Sequence, residues 1–225
     1  LNKIFDRFGK DYFTNKKILD VGGGSNPFVK LLNNYSRDLF VSDFDISTET
    51  NAFCNGQIFK GMFEYADIPL DSFDTILSFH SMEHMNNPAL VVSKMRKLLK
   101  QDGHVVVEVP NIIEVVRTMP YFSIFHQHIN MFTRNSLINL FYQQGFKLES
   151  ILQESLVMLM VFSLSDGDDR FDNVDMSNSL IEEFGSKMKF LNTQVLELVQ
   201  HYKPKKLGVY GAGGSTTLLL HHVPS

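Results

Sequence analysis

The chain has 225 residues, 44% of them hydrophobic, with a formal net charge of −4 and a single cysteine, Cys54. That length suffices for one full α/β domain with an extension. The sequence has no stripe rich in Lys and Arg, so a nucleic-acid partner is disfavoured. One cysteine excludes an internal disulfide framework and a cysteine-rich zinc module within the chain, which favours a cytoplasmic protein. The longest apolar run, Leu156–Phe162, is far below the ~20 residues of a membrane helix, so no membrane association is expected.

The first strand leads directly into a glycine-rich turn. The apolar stretch 18–21 contains one acidic residue, Asp20, and is followed at once by three glycines at 22–24. At the carboxyl end of the first strand of a doubly wound sheet, glycines let the backbone approach a ligand because no Cβ intervenes. Pro27 stands where the dinucleotide fingerprint G-x-G-x-x-G has its last glycine or an alanine, so that fingerprint fits poorly. The turn therefore favours an adenosine ligand without phosphates.

The elements that follow alternate between helix and strand, as a mostly parallel sheet requires. The patterns predict strands over 39–44 (the second), 73–79 (the fourth, buried), 104–109 (the fifth), 146–151 and 156–164. They predict a crossover helix over 27–34, a helix from Pro88 that stops at Gly103, and a helix over 136–144. The helix that opens at Pro88 has an apolar face made of Leu90, Val91, Met95, Leu98 and Leu99.

In this order, roughly from residue 16 to 164, the residues resemble the class I S-adenosylmethionine-dependent methyltransferases. Asp20, Gly22 and Gly24 match the first motif of that family, with Asn26 where a third glycine often stands. Shorter phrases match at family spacing: Ser72-Phe73-Asp74, Met82-Glu83-His84, Leu98-Leu99-Lys100 with Gly103, His128 with Phe132-Thr133, and Gly145-Phe146. The resemblance implies an α/β fold, a Rossmann-like, doubly wound, mostly parallel seven-stranded sheet with a helical C-terminal extension, and S-adenosyl-L-methionine as the cofactor.

The resemblance also implies roles for ten residues. Gly22 and Gly24 would admit the methionine end of the cofactor, with Asp20 orienting the turn and, as a second role, receiving the cofactor's amino group. Asp45, which aligns better than Asp43 with the family's ribose carboxylate, would accept hydrogen bonds from the ribose hydroxyls. Glu64 and Tyr65 would contact adenine. Phe79 and His80 would line the sulfonium side of the cofactor. His84 and His128 would be the catalytic residues.

The phrase His80-Ser81-Met82-Glu83-His84 permits a metal interpretation. It matches the H-x-x-E-H pattern of a zinc protease class, but it sits at a strand-to-helix junction rather than within a long helix. Some quinone-type O-methyltransferases hold a divalent cation at this loop with Glu, Glu and His, and here His80 replaces the first Glu. The favoured interpretation has no metal: Glu83 caps a helix and His84 packs under the cofactor.

Residues 125–132 are the expected acceptor-side segment, because they combine imidazole and aromatic rings after the fifth strand. A related His-x-His phrase occurs in nucleotide-sugar C-methyltransferases, where it abstracts a proton next to a ketone. Here Phe125 replaces the preceding Tyr and Gln127 replaces the central Glu, which leaves His128 as the candidate base. The alternative is that His128 and Phe132 only anchor the loop to the sheet.

The last 60 residues or so exceed what the methyltransferase domain needs, which divides the chain into 1–164 and a C-terminal extension, 165–225. The extension starts with an acidic loop over 165–175 and continues with a helix over 180–202. The predicted apolar face of this helix is made of Ile181, Phe184, Met188, Leu191, Val195, Leu198 and Val199. Its end, a strand with Gly211, Gly213 and Gly214, resembles the C-terminal half of the same sugar C-methyltransferases. Either the chain is a fragment of a longer enzyme, or this segment packs on the core or on a partner subunit.

These patterns predict an enzyme that methylates a small-molecule acceptor, with a carbohydrate or nucleotide-sugar as the favoured class. Two other functions stay open. An O-methyltransferase of quinone-like or phenolic acceptors would have an apolar pocket around Met82, Phe122, Phe125 and Phe132. A non-catalytic module of the same fold would bind the cofactor and transfer nothing. A homodimer is also left open.

Overall fold

The computed structural model describes residues 6, 13–24, 29–118, 127–165, 167 and 177–202. Seven strands form one sheet in the order β3-β2-β1-β4-β5-β7-β6. The strands are β1 (Lys17–Val21), β2 (Asp38–Asp43), β3 (Ile58–Lys60), β4 (Phe73–Phe79), β5 (Leu99–Pro110), β6 (Phe146–Glu154) and β7 (Val157–Leu164). The helices are α1 (Val29–Asn33), α2 (Thr48–Phe53), α3 (Pro88–Leu98), α4 (Ile112–Thr118), α5 (Arg134–Gln143) and α6 (Ser177–Tyr202).

The strand order places a ligand crevice between β1 and β4. The first five strands run parallel, with β2 and β3 on one side of β1 and β4 and β5 on the other. β7 pairs antiparallel with both β5 and β6. Ligands of such sheets bind outside the carboxyl ends of the strands where the order reverses. The predicted fold class is therefore confirmed, and the glycine turn after β1 lies at the expected place.

The parallel strands are buried on both faces, as their continuous apolar sequences indicate. In β1, Leu19 and Val21 pack in the core layer on one face of the sheet, and Ile18 packs in the other layer. In β5, Val105 and Val107 join the first layer and Val106 the second. This two-sided burial fixes the strands that carry the crevice residues.

Several elements differ from the sequence prediction because short or irregular segments carry little pattern. α2, which begins after the N-cap Ser47, the seven-residue α4 and the three-residue β3 were not predicted. α3 ends at Leu98 and not at Gly103, because Leu99 adopts an extended conformation and pairs with Phe73.

The predicted faces of two helices are covered only in part. On α3, Leu90 is 42% exposed, whereas Val92, which the prediction left out, is buried. On α6, Met188 is buried, but Ile181 and Leu198 are 67% and 56% exposed. α6 is held to α4 by an ion pair between Glu183 and Arg117.

The C-terminal strand with its glycine turn, and most of the acidic loop, lie outside the described residues. None of the helices in the described ranges is long and apolar enough to cross a lipid bilayer.

Asp74 in β4 links three elements, and we expect its carboxylate to make folding depend on acid pH. It accepts hydrogen bonds from the Lys17 backbone N–H (2.8 Å) and from Lys100 Nζ (2.7 Å). Partial burial raises the pKa of Asp74, but these two donors outweigh it and hold the pKa below the ordinary value. A lowered folded-state pKa gives stability that is present above the unfolded-state pKa of about 3.9 and is lost as pH falls through the folded-state value.

Asp74→Asn should therefore lower the free energy of unfolding by about 1 kcal/mol at pH 7, with a difference that shrinks as pH falls to about 3. Urea unfolding at both pH values measures it. Asp38→Asn is the matched control, because among the described residues the Asp38 side chain forms only an exposed pair with Arg37. A cost of Asp74→Asn that is the same at both pH values would contradict this account.

Candidate active site

A cavity of about 600 Å³ opens at the carboxyl ends of β1, β2 and β4, within the range of about 300–1,000 Å³ that is typical of small-molecule sites. It is lined by Gly22, Ser42, Asp43, Phe44, Asp45, Gly61, Met62, Phe63, Glu64, His80, Ser81, His84, Met85, Asn86 and Gln127. Five residues predicted for the site are among them: Gly22, Asp45, Glu64, His80 and His84. The other five, Asp20, Gly24, Tyr65, Phe79 and His128, lie outside this lining.

The glycine turn is packed so closely that side chains are excluded. Gly22 has a φ of +82°, and a Cβ on it would lie 2.3 Å from Ser81 Cβ. A Cβ on Gly23 would lie 2.4 Å from Asp20 Oδ2. Asp20 is only 1% exposed, so it supports the turn from beneath. The predicted orienting role of Asp20 fits this position, whereas direct contact with a ligand does not.

Asp43 and Asp45 follow the end of β2 and have different environments. Asp43 Oδ2 accepts a hydrogen bond from the Gly24 backbone N–H (2.7 Å), and Oδ1 accepts one from the Asp45 backbone N–H (3.1 Å). Within the described ranges the Asp45 carboxylate accepts no hydrogen bond, and its side chain is exposed on the cavity wall. Asp43 thus holds the turn, and Asp45 is available to a ligand, as the sequence predicts for the ribose carboxylate.

The predicted adenine-contacting pair is split by the structure. Residues 63–65 form one 3₁₀ turn, in which Phe63 is buried beneath the cavity. Glu64 lines the cavity. Tyr65 is 78% exposed and is not a lining residue, because adjacent residues of so short a turn face different sides. Phe63 and Met62 are lining residues that sequence reasoning missed, since a lone apolar residue in a loop has no distinctive pattern.

His80 follows β4 in a left-handed conformation, with φ +49°. Its Nε2 lies 3.1 Å from Glu108 Oε1, and its Nδ1 lies 3.5 Å from Glu83 Oε1. The carboxylates of Glu108 and Glu83 raise the pKa of His80 to about 10. His80 is therefore an imidazolium in the cavity wall, which suits an anionic ligand group and repels a sulfonium. Phe79 is half-buried against the second core layer.

Glu83 lies in a 3₁₀ turn, Met82–His84, and is 1% exposed. The helix-capping role expected for it is wrong: the N-cap of α3 is Asn87, whose side chain accepts a hydrogen bond from the Leu90 backbone N–H. The Glu83 carboxylate instead faces His80 and His84. Capping was predicted because a carboxylate just before a helix commonly caps it, and the intervening turn was not foreseen.

His84 and His128 are brought together although they are 44 positions apart in the chain. Their rings meet edge to face with centroids 4.8 Å apart. His84 Nδ1 donates a hydrogen bond to the Gln127 carbonyl oxygen (2.8 Å). Burial lowers the pKa of His128 below the ordinary value. A neutral imidazole therefore stands beside the cavity rim, where it can accept a proton or bind a cation.

The loop that carries His128 is fixed to the turn at 82–85 by Asn130, which the sequence interpretation did not single out. The Asn130 backbone N–H donates to the Glu83 carbonyl (3.0 Å), and its side-chain amide donates to the carbonyls of Met85 (2.6 Å) and Met82 (3.3 Å). Phe132 is buried and pairs with Asn111 at the end of β5. Phe132 is thus an anchor of the loop, and Asn130 is a second.

The fold and the cavity define a doubly wound α/β protein with a nucleoside-type site at the switch point. Residues 1–151 match the family model of a methyltransferase domain. That match covers more than half of the 225 residues, so the chain belongs to this methyltransferase-domain family. The predictions of enzyme class and cofactor, an S-adenosylmethionine-dependent methyltransferase, are thereby confirmed. The predicted resemblance to nucleotide-sugar C-methyltransferases stays a prediction.

Individual relatives are distant. Malonyl-(acyl-carrier protein) O-methyltransferase from Paenibacillus sp. (strain JDR-2) is 27% identical over 115 residues, which are 46% of this chain and 42% of that protein. The chain thus matches under half of the length of this curated relative.

Two solved structures illustrate the shared fold. A Burkholderia thailandensis 1,6-didemethyltoxoflavin-N1-methyltransferase, solved with its substrate and S-adenosylhomocysteine, has a TM-score of 0.56 at 13% identity and covers 72% of this chain and 75% of its own. A methyltransferase from Aquifex aeolicus has a TM-score of 0.55 at 12% identity, and the match covers 72% of this chain and 87% of the Aquifex chain.

We expect Asp45→Ala to weaken the binding of S-adenosylhomocysteine at least about 10-fold, because hydrogen bonds to a charged group contribute about 1.5 kcal/mol or more. Isothermal titration calorimetry measures the change. Asp38→Ala removes a carboxylate at the opposite end of β2 and should bind like the unmodified chain. If both variants bind equally well, Asp45 is not the ribose ligand.

Proposed function

We propose that this chain transfers the methyl group of S-adenosylmethionine to a polar small-molecule acceptor, with carbohydrates or nucleotide-sugars as the favoured class. One observation carries the proposal: a single cavity is lined by Gly22 of the glycine turn and Asp45 on one side and by His84 and Gln127 on the other. The first pair suits the cofactor, and the second suits an acceptor beside it.

The cofactor side follows the strand ends. Gly22 lines the cavity where the methionine end of the cofactor would lie. The lack of a side chain lets the turn pack closely against Ser81. Asp45 is available to the ribose hydroxyls, and Glu64 lies further along the same wall. The His80 imidazolium supports an anionic group, such as the cofactor's carboxylate, more readily than the sulfonium.

The acceptor side is polar. Asn86 and Gln127 line this part of the cavity with His84, and Met85 is the one apolar residue among them. The apolar pocket expected for a quinone-like or phenolic acceptor is not formed by Met82 and Phe132, which are 0% and 6% exposed and belong to the core. Phe122 and Phe125 lie outside the described residues. Amide and imidazole groups suit hydroxylated acceptors, which supports the carbohydrate class.

Methyl transfer from a sulfonium requires the protein mainly to align the acceptor with the cofactor. A lone pair of the acceptor attacks the methyl carbon, the electrons of the C–S bond stay on sulfur, and the acceptor loses a proton. The cavity holds the two reactants in line and limits water. We assign His84 and His128 to the acceptor's proton and not to the cofactor, because His84 lines the cavity beside Gln127 and His128 contacts His84.

A transfer assay with methyl-labelled S-adenosylmethionine tests this function. Parallel panels of nucleotide-sugars and of phenols or quinols of similar size should give label transfer in the first panel only. Transfer confined to the phenols would overturn the acceptor class. Binding of S-adenosylhomocysteine without transfer to any compound would favour the non-catalytic module and contradict the enzyme.

A further inference from the structure

The carboxylate of Glu83 is the most unusual polar group in the described part of the chain. Its side chain is 2% exposed, yet neither Oε1 nor Oε2 accepts a hydrogen bond from the described residues. The nearest cationic or imidazole nitrogens, His80 Nδ1 and His84 Nε2, are 3.5 Å and 3.9 Å from Oε1. A buried carboxylate without good hydrogen bonds is costly. The His80 imidazolium offsets part of this cost at Oε1, whereas Oε2 accepts no hydrogen bond from the described residues, so a further partner at this carboxylate would stabilise it.

His84 presents a lone pair to that carboxylate. The Gln127 carbonyl can only accept, so the hydrogen bond of 2.8 Å between them places a proton on His84 Nδ1. In the neutral ring, Nε2 then has a free lone pair, and it faces Glu83 Oε1. Two lone pairs that face each other are stabilised by a cation between them, which is either a metal ion or the proton of an imidazolium. A backbone carbonyl on the other ring nitrogen is also how metal-binding histidines are oriented in proteins.

His128 completes a group of three. One ligand atom from each of Glu83, His84 and His128 lies within 4.8 Å of the other two. Bonds of about 2.0–2.2 Å to zinc require these atoms to come within roughly 3.5 Å of one another. Because His84 is 39% exposed, its side chain has room to make that adjustment. Asn130 fixes the two backbone segments that carry the three side chains, so the group is held in place before any ion binds.

We propose that Glu83, His84 and His128 bind one divalent cation of the zinc type at the acceptor end of the cavity. Two imidazole nitrogens and one carboxylate oxygen are a known donor set of zinc sites that keep one position open. His84 lines the cavity, so an ion held by its ring would lie next to the acceptor part of the cavity. The site differs from the Glu, Glu, His arrangement considered from the sequence, because His80 turns to Glu108 and His128 comes from a separate loop.

The ion gives the acceptor side a function that the cofactor side lacks. A bound cation polarises an acceptor hydroxyl or carbonyl and lowers the pKa of the proton that must leave. This catalytic role rests on the proposed function, whereas binding of the ion does not. The two are therefore separable by experiment.

The test uses the purified chain after treatment with a chelator and removal of the chelator. Zinc bound per chain is measured by elemental analysis after equilibration, and cobalt(II) is titrated while its visible absorption is followed. We expect one ion per chain and an intense cobalt spectrum with nitrogen and oxygen ligands. Glu83→Gln, His84→Ala and His128→Ala should each weaken binding at least about 10-fold, as loss of even supporting residues does in metal sites.

His201→Ala is the matched control, since it removes an imidazole on α6 that lies outside the cavity, and it should bind zinc like the unmodified chain. Because Glu83 is buried, its variant can fold poorly, so the exposed His84 gives the decisive comparison. Absence of stoichiometric zinc, or equal binding by His84→Ala and His201→Ala, would overturn the site. The affinity for S-adenosylhomocysteine is measured on the same samples. If the chain binds S-adenosylhomocysteine but no zinc, only the metal site is refuted. If the chain binds zinc but no S-adenosylhomocysteine, only the proposed function is refuted.

Discussion

Gly24→Ala is expected to weaken the binding of S-adenosylhomocysteine about 100-fold or more. A Cβ at this position would lie 1.8 Å from the Asp45 carbonyl oxygen and 2.7 Å from the Asp43 carboxylate. The first of these is a backbone atom, so the clash is relieved only if the turn moves away from β2. That movement breaks the hydrogen bond from the Gly24 N–H to Asp43 and the one from the Ser47 N–H to the Gly24 carbonyl.

The loss of these contacts accounts for the size of the effect. A hydrogen bond to a charged group contributes about 1.5–3 kcal/mol and a neutral one about 1 kcal/mol. Together they amount to roughly 3 kcal/mol, which corresponds to about 100-fold in affinity. Because the turn shapes the cavity, this loss appears in ligand binding as well as in stability.

Calorimetric titration and urea unfolding of the same sample separate the two readouts. Gly185→Ala is the control: it adds the same methyl group on α6, where no atom lies within 4 Å. It should bind normally and unfold at a slightly higher urea concentration, because alanine favours a helix by about 1 kcal/mol over glycine. Unchanged binding by Gly24→Ala would mean that the turn does not contact the cofactor.

His128→Ala is expected to lower kcat about 100-fold or more and to leave the affinity for S-adenosylhomocysteine unchanged. The residue lies outside the cofactor part of the cavity, next to His84 and Glu83. As a base it contributes the factor of about 100 or more that proton transfer supplies. As a metal ligand it contributes by holding the ion that activates the acceptor. Both roles act on the acceptor, so the chemical step changes and cofactor binding does not.

Initial-rate kinetics with saturating cofactor measure this prediction, and calorimetry checks the cofactor affinity. His201→Ala loses an imidazole away from the cavity and should keep the turnover of the unmodified chain. A normal kcat for His128→Ala would leave the residue with an anchoring role only. A parallel fall in kcat and in cofactor affinity would instead indicate that the loop over 127–133 has collapsed.

The strands and turns with strong local patterns were predictable from the sequence. β4 was predicted with the observed bounds, Phe73–Phe79, because it is apolar and is followed at once by the polar residues that begin at His80. The glycine turn was predictable because close packing against Ser81, Asp20 and Asp43 tolerates no side chain. β3 has three residues, too few for any periodicity, so it was missed.

Which residues lie at the cavity was predictable at the strand ends and less so in the loops. Asp45 follows a strand at a position that local sequence defines. The partnership of His84 with His128 depends on a loop 44 positions away, which the Asn130 side chain fixes in a way no spacing reveals. The long-range ion pair of His80 with Glu108 joins two strands that the sequence separates by a helix, so the charge of His80 was not foreseen.

Calorimetric titration of the unmodified chain with S-adenosylhomocysteine tests the central claim most directly. We expect one binding site with micromolar affinity. The heat signal should be lost or strongly weakened in Asp45→Ala and unchanged in Asp38→Ala. Absence of binding by the folded, unmodified chain would contradict the cofactor site at the ends of β1 and β2, and with it the proposed methyl transfer.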